Sequence, residues 1–236
     1  MDQDANAPEP AETSHHLMLA LKDEQVVESV DGPITLRHHA AGNLIVTSGG
    51  IVACDPILIE DEPQPFVTRI EPGHYPVILS IASFPNSDER VAYATLQVRK
   101  QDPVRWEAAQ RSGDETDDDD TAWYPVDSGK GCFMDADALR ALLDRLEREE
   151  TDDSVYEEIN IGPGPLELVS EAVNASRTPT WGWANVGLEP DTAANVVGFS
   201  SGWGDGGYAT YLGYDASEDL VCFTTDFALF GDQSEP

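Results

Sequence analysis

Basic residues are scarce in this chain of 236 residues. It contains 13 Lys and Arg residues against 45 Asp and Glu residues, so its formal net charge at pH 7 is −32. Only three of the bases are lysines, and no Lys, Arg or His follows Arg177. A surface of this sign repels nucleic-acid backbones and anionic lipids, which excludes duplex nucleic acid and anionic membranes as partners.

The acidic excess has three competing explanations. Residues 1–113 carry 17 acids and 8 bases, whereas residues 114–236 carry 28 acids and 5 bases. Adaptation to a salt-rich cytosol favours a hydrated acidic surface with few lysines. Attraction to a basic partner, such as a nuclease or a nucleic-acid-binding protein, favours the same sign, and so does a simple need for solubility.

Cysteine and long apolar runs are also rare. Cys54, Cys132 and Cys222 are odd in number and form no CxxC motif, which predicts reduced, buried thiols in a cytoplasmic protein. No apolar run approaches the roughly 18 residues of a membrane span. Acidic residues stand where a secretory signal would be basic, so we expect no signal peptide and a disordered acidic tail over residues 1–14.

Strand patterns dominate what is present. Short apolar or β-branched runs predict strands over residues 16–22, 34–38, 43–47, 51–59, 71–84 and 89–99. The polar turn at 85–88 joins the last two into a hairpin, with residues 77–82 buried on both faces and residues 91–99 alternating as in a half-buried strand. Five further short runs after Trp181 predict a second meander.

Two helices are predicted between these β regions. Asp135 is expected to cap a helix that ends near Glu150, and Pro165 to begin a second helix that ends near Ala175. The predicted fold class is therefore α+β, mostly antiparallel, with two meanders forming a sandwich or an open barrel and two helices packed on it. We expect one domain over residues 15–236, with a flexible acidic loop near residues 113–121.

Several motifs resemble one family. They are SGGIVACDP at 48–56, EPGHYPVIL at 71–79, ERVAYATL at 89–96, VDSGKGCFMDA at 126–136, FSSGWGDGGYATYLGYDA at 199–216 and TTDF at 224–227. Their order and spacing resemble the bacterial family called domain of unknown function 4241, over roughly residues 40–230. His74 and Ala209 depart from that pattern, where Arg and Pro are expected. The resemblance implies a shared fold and no particular activity.

The segment at residues 200–215, SSGWGDGGYATYLGYD, is the strongest candidate for a functional surface. Its glycines permit unusual backbone paths that present Trp203 and Asp205. Asp205, Asp215 and Asp226 lie on neighbouring β segments, where they cap turns, contact a partner or bind a divalent cation. The candidate partner-binding residues are Trp203, Asp205, Tyr208, Tyr211, Asp215 and Lys130.

Lys130 and a set of nucleophiles leave other chemistry open. Lys130 stands between two glycines, as in an anion-binding loop or in a tight turn that pairs the lysine with an acid. A hydrolase would use a nucleophile, with His74 as general base and Asp205 as the acid that orients it. The candidate nucleophiles are Ser200, Ser201 and Cys132. Ser200-Ser201-Gly202 is too generic a sequence to establish the nucleophile by itself.

The acidic charge, together with the generic context of the candidate nucleophiles, favours binding over catalysis. We expect a non-enzymatic, cytoplasmic, β-rich module that binds a basic protein, for example as an immunity-type protein that neutralises a toxin. No cofactor is expected, and a divalent cation is left open. The alternative is a hydrolase or a metal-dependent enzyme with its site around the SGWGDG loop.

Overall fold

Strands make up most of the fold. The computed structural model describes residues 16–59, 63–113, 123–151, 165–188 and 194–230, so the predicted tail at 1–14 and the predicted acidic loop from 114 onward lie outside the described residues. The strands are β1 (Gln25–Val27), β2 (Ile34–Val46), β3 (Ile51–Cys54), β4 (Gly73–Ser83), β5 (Glu89–Gln97), β6 (Arg105–Ala108), β7 (Trp123–Val126), β8 (Lys130–Asp135), β9 (Trp183–Gly187), β10 (Asn195–Ser200), β11 (Gly206–Tyr214) and β12 (Leu220–Asp226). The helices are α1 (Ala136–Thr151) and α2 (Pro165–Ala175), and a 3-10 turn covers Met18–Leu21.

The strands form two antiparallel sheets. A large curled sheet has the order β1-β2-β4-β5-β12-β11-β6, with β7 paired to the other end of β11. A second sheet has the order β3-β8-β10-β9. The predicted fold class is confirmed: the protein is mostly antiparallel β with two helices, as a half-barrel sheet and a second sheet. Each sheet contains strands from both halves of the chain.

The second sheet lies between the large sheet and the helices. Because successive side chains of a strand point to opposite faces, Phe133 of β8 joins the core shared with the large sheet, while Cys132 and Met134 pack with the helices. Gly198 of β10 faces α2 closely, since a Cβ there would lie 2.7 Å from the Val169 Cγ1 atom. In this arrangement the turn before β8 and the loop after β10 lie at the same end of the second sheet, because these two central strands are antiparallel. These two segments form the candidate site.

The β4–β5 hairpin forms as predicted, with residues 85–88 between its strands. The expectation that β5 is half-buried is wrong, because residues 91–96 are all buried. The 3-10 turn packs on β5 and β4: the Tyr93 hydroxyl donates to the carbonyl of His16, just before the turn, and Ser80 Oγ of β4 donates to the Ala20 carbonyl.

Other strand predictions also differ from the structure. The run at 51–59 is a strand only over Ile51–Cys54, and four of the five runs predicted after Trp181 form strands. Residues 18–21, expected to be extended, form the 3-10 turn that buries Ala20. The two runs at 34–38 and 43–47 belong to the single strand β2, whose pairing with β4 is interrupted between Ala40 and Gly42. Gly42 has a φ of +104°, which explains how one strand crosses this irregularity.

Both helices begin where expected. Asp135 Oδ1 accepts a hydrogen bond of 2.9 Å from the Asp137 amide and caps α1, and Pro165 is the first residue of α2. Leu139 and Leu142 of α1 are buried against the second sheet. Among the described residues, neither helix combines the length and the apolar character that crossing a bilayer requires.

Candidate functional site

The loop between β10 and β11 is closed by hydrogen bonds within itself. The Gly204 amide donates to the Ser201 carbonyl over 2.6 Å, and the Gly204 carbonyl accepts from Ser201 Oγ at 3.0 Å and from the Tyr208 hydroxyl at 2.8 Å. Gly202 and Gly204 have positive φ angles of 47° and 115°. Ser201 and Tyr208 are buried, so both side chains build the loop and are not presented to a partner.

The turn between β7 and β8 packs beside this loop. The Ser201 amide donates to the Gly129 carbonyl over 3.1 Å, and Ser200 pairs with Lys130 across the β8–β10 ladder. A buried carboxylate fixes the turn: Asp55 accepts from the Asp127 amide at 3.0 Å and from the Ser128 amide and hydroxyl at 2.8 and 2.7 Å. The VACDP and VDSGK motifs are therefore two halves of one rigid support.

Trp203 projects from the loop and is 59% exposed. The Arg90 guanidinium carbon lies 5.0 Å from the centre of its ring, and the ring of Phe84 lies 5.4 Å away. A cation over an indole face and a neighbouring aromatic ring both hold the side chain in one orientation. The exposed part of the indole is thus a fixed apolar surface.

A small cleft of about 140 Å³ opens beside Trp203. Three cationic side chains line it: Arg90 from β5, Lys130 from β8 and Arg177 from the segment after α2. Lys130 Nζ donates to the Ser128 carbonyl over 3.0 Å, whereas Arg90 donates to Asp88 over 2.9 and 3.0 Å. Arg177 is exposed. Neither Lys130 nor Arg177 has an ion-pair partner among the described residues.

An acidic and aromatic surface lies at the start of β11. We call it the Trp face and define it as Trp123, Asp127, Trp203 and Asp205. Trp123 is 57% exposed, and both aspartates are exposed. Strand β7, which carries Trp123, pairs with the first half of β11. Neither Asp127 nor Asp205 forms an ion pair within the described part of the chain.

The predicted catalytic residues are not brought together. His74 is at the start of β4, whereas Phe84, which contacts Trp203, follows the end of that strand. Ten residues of extended chain separate His74 from Phe84 by about 30 Å, so His74 is remote from Asp205. Cys132 is fully buried, and burial raises the pKa of its thiol well above the usual range. These residues do not form one site.

The three predicted metal ligands are also separated. Asp205 precedes β11 and Asp215 follows it, which places them about 30 Å apart along the strand. Asp215 Oδ1 accepts from the Ser217 and Asp219 amides, as a turn cap does. Asp226 Oδ1 accepts from the Ala228 amide. Among the described residues, no group of three His, Cys, Asp or Glu side chains is placed to hold a metal ion.

The predicted partner-binding residues fall into four places, one of which is the turn that Asp215 caps beyond the far end of β11. Trp203 and Asp205 are exposed on the Trp face, and Lys130 lines the cleft. Tyr208 is buried and Tyr211 half-buried, with the pKa of each hydroxyl raised by burial.

Sequence reasoning missed Arg90 and Arg177, because strand pairing and helix packing bring these distant bases to Lys130. It also missed the contact between the thiols of Cys54 and Cys132, which lie opposite each other on β3 and β8 with their sulfurs 3.7 Å apart.

Comparison with known proteins gives a family. The family model described as "Protein of unknown function (DUF4241)" matches residues 44–225. This chain belongs to the DUF4241 family. A comparison with curated proteins found no match, and a comparison with solved structures found none. The DUF4241 match contains the Asp55 support, the SGWGDG loop and the three cationic residues of the cleft, so the whole candidate site lies within the family segment.

Proposed function

We propose that this DUF4241 protein is a protein-binding module whose partner is a basic protein. The observation that carries the proposal is the Trp face, where β7, the turn after it and the loop before β11 present two exposed tryptophans and two exposed carboxylates that form no ion pair among the described residues. Tryptophan is enriched among the residues that dominate protein–protein affinity. The carboxylates complement Lys and Arg side chains, so they favour a partner that is basic.

Rigidity of the supporting loops favours this function. Asp55 holds the 127–128 turn with three hydrogen bonds, and the Gly204 carbonyl is held by Ser201 and Tyr208. Side chains on a preorganised support lose little conformational freedom on binding, so more of the contact energy becomes affinity. The net charge of −32 adds long-range attraction that speeds encounter with a basic partner.

Binding fits the geometry better than hydrolysis does. The hydrolase hypothesis needs His74 and Asp205 in contact, and the length of β4 separates them. Neutralisation of a basic toxin by an immunity-type protein is one concrete form of the proposed function, since such an inhibitor acts by covering its target.

Capture and titration of the partner test this proposal. The purified protein is used to capture partners from its own cells, and the captured protein is then titrated at about 0.05 M and about 0.5 M salt. We expect a basic partner whose affinity falls with salt, because screening weakens attraction between opposite charges. The double variants Trp123→Ala/Trp203→Ala and Asp127→Asn/Asp205→Asn should each weaken binding at least about tenfold.

Two control variants stand at other positions. Val104→Ala removes an apolar side chain that is 66% exposed near the other end of β11, and Asp102→Asn removes one exposed charge. Both should bind as the unmodified protein does. A captured partner that is acidic, or whose affinity is unchanged by salt and by the Trp face variants, would contradict the proposal.

A further inference from the structure

The cleft beside Trp203 concentrates positive charge in a protein that has little of it. Arg90, Lys130 and Arg177 supply three of the 13 Lys and Arg residues to a cavity of about 140 Å³. Arg90 is neutralised by Asp88, with which it forms two hydrogen bonds. Lys130 and Arg177 have no carboxylate partner among the described residues, although the chain has 45 acids.

Donor groups remain available in this cleft. Lys130 Nζ donates one hydrogen bond, to the Ser128 carbonyl, and an ammonium group has three donors. The Arg177 guanidinium presents a planar fork that suits bidentate contact with phosphate or carboxylate oxygens. Gly129 and Gly204 also line the cleft, and the absence of side chains there allows an anion to approach the backbone closely.

Charge matching selects phosphate over carboxylate. A phosphomonoester carries about −1.5 to −2 charges near pH 7, which balances the two unpaired cations Lys130 and Arg177. A carboxylate would leave one of them uncompensated. Two acids lie near the cleft: Asp88, which is paired with Arg90, and Asp205, whose Oδ1 atom would lie 4.0 Å from a Cβ at Gly129. Repulsion by acids beyond about 8 Å is screened at physiological salt.

Size and the position of Trp203 define the rest of the ligand. Sites that enclose a drug-sized ligand measure roughly 300–1,000 Å³, whereas this cleft measures about 140 Å³. It therefore holds the anionic group alone, and the remainder of the ligand lies outside against the rim. Trp203 lines that rim with a fixed, 59% exposed indole, and nucleobases stack on such surfaces.

We propose that this cleft binds the phosphate group of a nucleoside monophosphate whose base stacks on Trp203. Lys130 and Arg177 contact the phosphate, and Arg90 keeps the indole in place. This small-molecule site goes beyond the binding of a basic protein, and it shares Trp203 with the Trp face.

Titration calorimetry of the full chain with four probes tests the proposal. The probes are AMP, ribose 5-phosphate, adenosine and inorganic phosphate. We expect AMP to bind about 5- to 150-fold more tightly than ribose 5-phosphate, the range that one stacked base provides. Adenosine should also bind more weakly than AMP, because it lacks the phosphate.

Three variants assign the contacts. Trp203→Ala should reduce AMP affinity to that of ribose 5-phosphate and leave inorganic phosphate affinity within about twofold. Lys130→Gln/Arg177→Gln should weaken AMP and inorganic phosphate at least about tenfold. Lys100→Gln is the matched control, since Lys100 is an exposed lysine beyond the opposite end of β5 from Arg90. It should change neither affinity, and unchanged thermal melting should show that every variant folds.

Two results would overturn the proposal. One is equal affinity for AMP and ribose 5-phosphate, or no binding of either at millimolar concentration. The other is AMP binding by the folded Lys130→Gln/Arg177→Gln variant that is as tight as binding by the unmodified protein. Loss of partner binding in the capture experiment would not affect these outcomes, because AMP binding is measured without the partner.

Discussion

Asp226 is an acid in an environment that disfavours its charge. It ends β12 directly opposite Tyr93 of β5, and its Oδ1 accepts a hydrogen bond of 2.8 Å from the Ala228 amide. Burial raises its pKa from 3.8 to about 6, although the amide contact favours the charged form. The folded state therefore holds this proton more tightly than the unfolded chain does, and the stability contributed by Asp226 falls as pH rises from about 4 to 6.

The variant Asp226→Asn tests this assignment. A difference of about two pKa units corresponds to roughly 3 kcal/mol, so the variant should exceed the unmodified protein in stability by up to that amount at pH 8. At pH 4 the gain should disappear, because the carboxyl group is then protonated when folded. Urea unfolding at both pH values measures it. Asp205→Asn removes the same charge from an exposed site, and an equal pH dependence in that control would contradict the assignment.

Gly202 is required by space as well as by backbone conformation. A Cβ at this position would lie 2.7 Å from Leu229 Cδ1 and 2.8 Å from Phe227 Cβ. Gly129 has a similar positive φ of 66°, but its nearest contact would be an ordinary 3.7 Å. Gly202→Ala should therefore lower the free energy of unfolding by about 1–3 kcal/mol more than Gly129→Ala. Denaturant unfolding compares them, and equal losses would refute the steric account.

At the scale of elements, Asp135 joins β8, α1 and the loop after β2. It is 1% exposed and accepts hydrogen bonds from Thr47 Oγ1, from the Ser48 amide and hydroxyl, and from the Asp137 amide. Removal of the carboxylate breaks all of these hydrogen bonds and removes the helix cap.

Asp135→Ala should lower the free energy of unfolding by about 2–4 kcal/mol, the sum of a lost cap and of lost hydrogen bonds to a charged group. Asp137→Ala is the matched control, because that side chain is in the first turn of α1 and its ion pair with Arg140 is exposed. The control should cost less than about 1 kcal/mol. Thermal and urea unfolding measure the stability of both variants. If Asp135→Ala loses no more free energy of unfolding than the control does, the carboxylate does not stabilise the contact between β8, α1 and the loop after β2.

Strand β8 shows why local patterns predicted some elements and not others. Gly129, just before this strand, and Gly131, within it, suggested a loop. Of these two glycines, only Gly129 has a positive φ. Gly131 is extended in β8, where a Cβ would lie 3.0 Å from the ring of Phe199 and from the Tyr124 hydroxyl. The glycine is required by packing between distant strands, which sequence spacing does not encode. Helix boundaries were predictable because capping residues and proline act locally.

The candidate site was predictable in part for the same reason. Trp203 and Asp205 stand in a glycine-rich loop that local reasoning identifies. The cationic cleft was not predictable, because Arg90 and Arg177 join Lys130 through sheet pairing and helix packing. No Lys, Arg or His follows Arg177 in the sequence, whereas the folded structure places three cationic side chains beside the loop.

For the whole molecule, the net charge of −32 sets the dependence on salt. Repulsion among the acids opposes compaction and is screened by added ions. If the acidity is an adaptation to high salt, the melting temperature should rise by at least about 3 °C between low and molar KCl, or about 1 kcal/mol for a chain of this length. Calorimetry measures the shift. An unchanged melting temperature would remove high-salt adaptation and leave partner binding or solubility as the reason for the charge.

Hydrogen–deuterium exchange of the protein, alone and with its captured basic partner, tests the central claim most directly. If the Trp face is the binding surface, protection from exchange should appear at residues 123–127 and 202–207 and should be lost in Trp123→Ala/Trp203→Ala. Protection confined to other segments, with these two unchanged, would contradict the account.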